Sequence, residues 1–254
     1  MSTSATATSC STARNLVLDG SPALLAEHAV VVRNPQETDD NRMLEERRPH
    51  ARHRPARRCN TGPMTRSPAP AVGGLLLTPG AGAGRDHPTL VAVEEAVEPL
   101  PVRRVDFPYR IAGRRMPDRA PVAVAHLVEE AGRFAAEEGF APDRLVLGGR
   151  SYGGRMCSIA VAEGLPAAGL VLLSYPLHPP GKPDKLRVDH FPQLAVPVLF
   201  VSGTTDPFGS PEEFDEHVAA IPGPVTQVRL PGAHDVRNDH AAVSDAVVQW
   251  LATL

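Results

Sequence analysis

No stretch of this sequence approaches 18 consecutive apolar residues, which excludes a membrane-spanning helix. The N-terminus has no charged segment leading into an apolar run and a small-residue cleavage site, so no secretory signal is read there. Cysteine is scarce. Cys10, Cys59 and Cys157 are odd in number and widely spaced, which is neither a disulfide framework nor a zinc pattern. The expectation is a cytoplasmic protein in a reducing compartment. Lys182 and Lys185 are the only lysines, and the net charge of −3 leaves no global basic field to attract nucleic acid. The expected partners therefore include neither nucleic acid nor membrane.

What is present is a globular balance: 254 residues, 42% hydrophobic and 22% charged. That length suits one domain with an appendage and can bury a real core. Residues 1–70 read as the appendage. Met1 to Ser11 is Ser/Thr/Ala without periodicity, Arg42 to Arg58 has few apolar residues, and Ser67-Pro68-Ala69-Pro70 is breaker-rich. Such a stretch cannot offset its ordering entropy by burial, so a disordered N-terminal tail is expected. One apolar patch, Ala23 to Val32, is compatible with a short helix or strand. The arginines of Arg42 to Arg58 are interleaved with Glu45 and Glu46 and have no aromatic to stack on a base, so they read as a solvated tail. Met64 lies just upstream of the first convincing strand and is a candidate natural start.

Residues 71–254 alternate between apolar runs and amphipathic stretches. The strand candidates are Gly74 to Thr78, Val102 to Phe107, Leu145 to Gly148, Leu170 to Leu173, Val196 to Val201 and Val225 to Leu230. A helix opening at Asp86 and one over Ala120 to Glu138 separate the first three. Others follow Gly154, Ser210 (a capping box with Pro211 and Glu213) and the last strand. The fold class is α/β: a three-layer sandwich with a mostly parallel sheet. Its sites belong at the C-terminal ends of strands.

Gly149-Arg150-Ser151-Tyr152-Gly153 is a Gly-x-Ser-x-Gly pattern lying between a strong apolar strand and a helix. A sharp strand–turn–helix needs small neighbours, and it would hold the Ser151 hydroxyl above the sheet beside the Tyr152 N–H. Serine needs a base, and the base needs an orienting acid. Asp206 follows the strand ending at Val201 and His234 follows the strand ending at Leu230. The order Ser, Asp, His with each residue just past a strand points to acyl transfer. Asp235 is a rival acid, awkwardly placed beside His234.

These segments resemble the α/β-hydrolase superfamily, in its small cap-less, dienelactone-hydrolase-like branch. The resemblance rests on Leu-Thr-Pro-Gly-Ala-Gly (77–82), Arg-Asp-His-Pro (85–88), Gly-Gly-Arg-Ser-Tyr-Gly-Gly-Arg (148–155), Ser-Tyr-Pro-Leu-His-Pro-Pro-Gly (174–181), Gly-Thr-Thr-Asp-Pro-Phe-Gly (203–209) and Ala-His-Asp (233–235). It implies Ser151 as nucleophile, His234 as base, Asp206 as acid, and an oxyanion hole from the N–H groups of Tyr152 and Ala81. It implies a serine hydrolase cleaving an ester or thioester of a small acyl substrate, without metal or organic cofactor. Two departures stand out. Pro79-Gly80 replaces the His-Gly of many relatives, and the first strands of the larger fold are missing, so a trimmed sheet is expected. The lineage also contains non-catalytic subunits, so an interaction subunit retaining the fold is the alternative.

Other residues carry weaker signals. His178 lies in the loop after Leu173 as a candidate substrate contact, and Arg150, with Lys182, Lys185 and Arg187, as a candidate for an anionic substrate. That loop is only about 20 residues, so a shallow, open pocket is expected. His87 reads as a first-turn helix residue and Cys157 as a packed small side chain. Gly80-x-Gly82-x-Gly84 imitates a dinucleotide fingerprint, but Arg85 stands where its last small residue belongs.

Overall fold

The computed structural model describes residues 30–33 and 72–254. Among these residues, seven strands form one sheet: β1 (Val30–Arg33), β2 (Gly74–Thr78), β3 (Val102–Arg104), β4 (Leu145–Arg150), β5 (Gly169–Leu173), β6 (Val198–Gly203) and β7 (Val225–Leu230). Their order is β1-β7-β6-β5-β4-β2-β3. The six strands from β2 to β7 are parallel to their neighbours, and β1 closes one edge antiparallel to β7. The apolar patch at Ala23 to Val32 thus contributes a strand, inside the segment expected to be a tail. The rest of that segment, Met64 included, lies outside the described residues.

The central strands are buried along their length except at Arg150, the last residue of β4, which is why they read as apolar runs. Alternate residues turn to opposite faces. Leu76, Leu147, Leu172 and Phe200 face a core that holds Phe107, Tyr109, Phe134, Tyr175, Phe191 and Phe214. Leu75, Leu77, Val146, Val171 and Leu199 face an aliphatic core closed by Leu90, Val93, Val247 and Trp250.

Among the described residues, six α-helices lie between or after the strands: α1 (Pro88–Ala96), α2 (Pro108–Ile111), α3 (Ala120–Glu138), α4 (Tyr152–Ala162), α5 (Pro211–His217) and α6 (His240–Leu251). α1 and α6 pack on the aliphatic face and α3 and α4 on the aromatic one, giving three layers. α3 starts and stops where its sequence pattern does, ending on left-handed Gly139 (φ 72°). The expected cap of α1 is corrected: His87, not Asp86, caps it, its ring nitrogen accepting from Thr89 N–H at 3.3 Å. Asp86 is drawn off by Arg104, 2.7 Å away. The four-residue α2 is too short to show an apolar period. No described helix is long and apolar enough to cross a membrane.

Candidate active site

β4, β6 and β7 each end in a loop that carries one member of a hydrogen-bonded chain. Ser151 follows β4 directly, with φ 51° and ψ −114°. A positive φ is strained for serine and persists only where the surroundings enforce it. Its N–H bonds to Leu173 O at 2.8 Å, and its carbonyl accepts from Arg155 N–H at 3.0 Å to open α4. The turn fits because Gly149 and Gly153 lack side chains: a Cβ on either would overlap Thr78.

Ser151 Oγ lies 2.9 Å from His234 Nε2. His234 Nδ1 lies 2.8 Å from Asp206 Oδ2. The carboxylate can only accept, so Nδ1 holds the imidazole proton and Nε2 is left to accept from the serine. Asp206 is 4% exposed, and its other oxygen accepts the Phe208 N–H at 2.9 Å. The Phe208 ring packs over the imidazole with centroids 4.1 Å apart. The carboxylate on the imidazole is that of Asp206, while the charge of Asp235 acts on Arg150.

The Asp206 and His234 loops are stitched together. Thr205 bonds Gly232 O through both its N–H, at 2.8 Å, and its hydroxyl, at 2.9 Å. Gly203 lets the loops touch, since a Cβ there would overlap Ala233 O. Both contacts join β6 to its neighbour β7, so adjacency in the sheet sets the acid–base distance.

The Ala81 loop runs beside the serine. A Cβ at Gly80 would sit 3.6 Å from Ser151 Cβ. Tyr109 OH donates to Ala81 O at 2.8 Å, and Tyr152 OH to Asp118 O at 2.8 Å. Asp118 in turn accepts Tyr109 N–H at 2.8 Å and pairs with Arg114 at 2.7 Å. These bonds tie the loop, α2 and the first residue of α4 into one frame. Among the described residues, the Ala81 and Tyr152 N–H groups have no protein acceptor. As the first residue of α4, Tyr152 has no intrahelical acceptor.

Two expected substrate contacts are placed elsewhere. Arg150 Nη2 donates to His234 O at 3.1 Å. Burial lowers its pKa, opposed by Asp235 and Asp206. Arg150 therefore braces the histidine loop from behind. His178 is buried, with Nδ1 2.9 Å from Pro179 O and Nε2 3.2 Å from Glu213 Oε1. Both ring nitrogens are engaged, and the residue ties its loop to the capping box of α5. Lys182 and Lys185 are exposed.

Cys157 is fully buried, its Sγ 3.3 Å from Gly148 O, and burial pushes the thiol up to about 12. It is a packed side chain with no thiolate character. The dinucleotide imitation also fails here. α1 begins at Pro88, well past Gly84, and Asp106 is occupied by Arg85 N–H at 2.8 Å. Among the described residues, no group of three or more His, Cys, Asp or Glu side chains could hold a metal ion.

Sequence reasoning missed the bracing roles of Arg150, Tyr109, Asp118 and Phe208. A short-range signal existed only for Phe208, two residues past Asp206.

Residues 72–246 match the profile of a family described as an alpha/beta hydrolase domain. Among solved structures, one from Xanthomonas campestris pv. campestris, assigned to the alpha/beta hydrolase superfamily, is 24% identical. The match covers 72% of this chain and 99% of that one, with a TM-score of 0.55. A dienelactone hydrolase from Anabaena variabilis is 18% identical over 73% of this chain and 88% of its own, with a TM-score of 0.58. Est1E from Butyrivibrio proteoclasticus, solved with ferulic acid bound, is 15% identical over 72% and 90%, with a TM-score of 0.57.

Proposed function

This chain belongs to the alpha/beta hydrolase family, and from that premise we propose that it is a serine hydrolase cleaving the ester or thioester bond of a small acyl substrate. The observation that carries the reading is the unbroken chain from Ser151 Oγ through His234 to Asp206, with contacts of 2.9 and 2.8 Å. Ser151 Oγ attacks the acyl carbon while His234 Nε2 takes the hydroxyl proton. Asp206 stays ionised, holds the imidazole in its tautomer and stabilises the imidazolium.

The Tyr152 and Ala81 N–H groups receive the carbonyl oxygen as it gains charge, each worth about 3 kcal/mol by analogy with a mutated donor of this type. The bond to the leaving group breaks, and His234 returns its proton to the departing alcohol or thiol. Water, deprotonated by His234, then attacks the acyl-enzyme, releases the acid and restores Ser151. Every step uses the chain's own residues. His234 is partly open, its side chain 19% exposed, so water and a small acyl group can reach it.

The test is steady-state hydrolysis of p-nitrophenyl acetate, p-nitrophenyl butyrate and a short acyl thioester, with His234→Ala as control. Turnover that falls at least about a thousandfold in the variant supports the reading. Turnover unchanged in His234→Ala, or none in the well-folded parent, contradicts it; the latter favours a non-catalytic subunit.

A further inference from the structure

The Ala81 loop contains a tight turn with two available forms. Ala83 N–H donates to Gly80 O at 3.1 Å, closing a four-residue turn with Ala81 and Gly82 at its centre. Neither central residue has a positive φ. Types II, I′ and II′ each require one, so the turn is type I. Glycine in its third position leaves type II open as well, because φ > 0 is free of a Cβ penalty there. Nothing lies within 4 Å of the place where a Cβ on Gly82 would stand, so neighbouring atoms do not block the change. The two types differ by turning over one peptide, Ala81–Gly82.

That peptide decides what the loop shows to the reaction. With the helical dihedrals of type I, the N–H and C=O of Ala81 point to opposite sides, as they do along a helix. With the extended ψ of type II, the carbonyl swings toward the N–H side. An oxyanion held by Ala81 N–H would then meet a carbonyl oxygen beside its donor, and the two negative charges repel. The loop is packed on the nucleophile turn. A Cβ on Gly80 would sit 3.6 Å from Ser151 Cβ, and one on Gly153 would overlap Pro79 O.

One side chain opposes the change. Tyr109 OH donates to Ala81 O at 2.8 Å. Tyr109 is fully buried and is itself fixed at both ends of its backbone. Its N–H donates to Asp118 Oδ2 at 2.8 Å, and its carbonyl accepts from Arg114 N–H at 2.7 Å. Its ring packs against Phe107 and Tyr152, with centroids 6.5 and 6.3 Å away. Turning the peptide over would take the acceptor from this hydroxyl. We propose that Tyr109 is a positioning residue for the hydrolysis: through Ala81 O it holds the Ala81–Gly82 peptide in the orientation that keeps a carbonyl oxygen out of the oxyanion site. The proposal rests on the serine-hydrolase reading for its catalytic consequence, but not for its hold on the turn.

Residual dipolar couplings of the full chain, isotope-labelled and weakly aligned, read the direction of the Gly82 N–H without turnover. In the parent the coupling should fit the type I turn. In Tyr109→Phe, which keeps the ring and removes only the hydroxyl, it should depart from that value while the couplings in β2 and β4 hold. A type II coupling in the parent overturns the hold on the turn without any variant, and an unchanged coupling in Tyr109→Phe overturns it as well.

Steady-state hydrolysis of p-nitrophenyl butyrate reads the consequence. Tyr109→Phe should lower kcat about tenfold or more, with KM within about threefold of the parent. Tyr175 is also fully buried, and its hydroxyl donates to Arg187 O at 2.8 Å. Tyr175→Phe removes that comparable bond and should keep kcat within about threefold of the parent. Adding Gly82→Ala to Tyr109→Phe should raise kcat about threefold or more over Tyr109→Phe, because alanine resists the φ > 0 of a type II turn. An unchanged kcat in Tyr109→Phe, a change confined to KM, an equal loss in Tyr175→Phe, or no recovery in the double variant would overturn the positioning role. A turned peptide in the Tyr109→Phe form of a chain that hydrolyses nothing keeps the hold on the turn and overturns the hydrolase reading.

Discussion

Ser151 and Ser158 lie at the start and in the middle of the same helix, and each has a histidine Nε2 within hydrogen-bond reach, at 2.9 and 2.8 Å. Distance does not separate the two pairs; direction and surroundings do. Ser158 donates its proton to Arg155 O, so its oxygen accepts from His190. His190 then carries the proton on the nitrogen that a base would need free. Burial and the Arg155 charge also weaken it as a base, to about 4. Ser158 is fully buried. At the other pair the carboxylate of Asp206 claims Nδ1, leaving Nε2 to accept, and the strained turn lifts Ser151 clear of the helix. A serine–histidine contact becomes a candidate for catalysis through the acid behind it and the strand ends that align all three.

The comparison can be broken at the acid first. Asp206→Asn should leave the imidazole in the wrong tautomer and lower kcat about 10⁴-fold, measured by steady-state ester hydrolysis. Activity close to that of the parent would mean that the acid does not set the difference between the pairs. Arg150→Gln should cost about 10- to 100-fold in kcat with little change in KM, because it removes the donor that holds His234 O in place. Loss in KM alone would return Arg150 to substrate binding.

The third prediction concerns stability. The folded pKa of His190 is lowered from 6.5 to about 4, so only the unfolded chain gains a proton as pH falls between those values. The associated stability is complete above pH 6.5 and is lost towards pH 4. It is worth about 2 kcal/mol after allowance for solvent screening of a partly exposed ring. Urea unfolding at pH 7.5 and pH 4.5 should show a smaller difference in His190→Asn than in the parent; an equal difference would sink the assignment. The smallest effect is expected from Ser158→Ala, whose ester hydrolysis should stay within threefold of the parent.

Much of the architecture was legible because its strands are buried on both faces and its helices on one. β2, α3 and β7 have the limits that periodicity predicts, since Gly73, Gly139 and the turn residues around Pro231 punctuate them. β6 runs two residues later than its apolar pattern, because Pro197 has no N–H for the ladder. β1 was legible only as an undecided patch, since an edge strand takes its pairing from a distant neighbour, β7.

The candidate site was legible where chemistry follows a strand directly. Ser151, Asp206 and His234 each do, and the structure brings them into one chain. Arg150 and His178 were misread because side-chain direction is set by long-range contacts. Arg150 reaches a carbonyl 84 residues away, and His178 a carboxylate 35 residues away. Adjacency to Ser151 in sequence carries no such information.

The most direct measurement is fluorophosphonate labelling of the purified protein, followed by intact mass and peptide mapping. One adduct per chain, located on Ser151 and abolished by Ser151→Ala, is the predicted result. An unlabelled, well-folded chain, or an adduct on any other residue, would contradict the assignment of Ser151 as the activated serine.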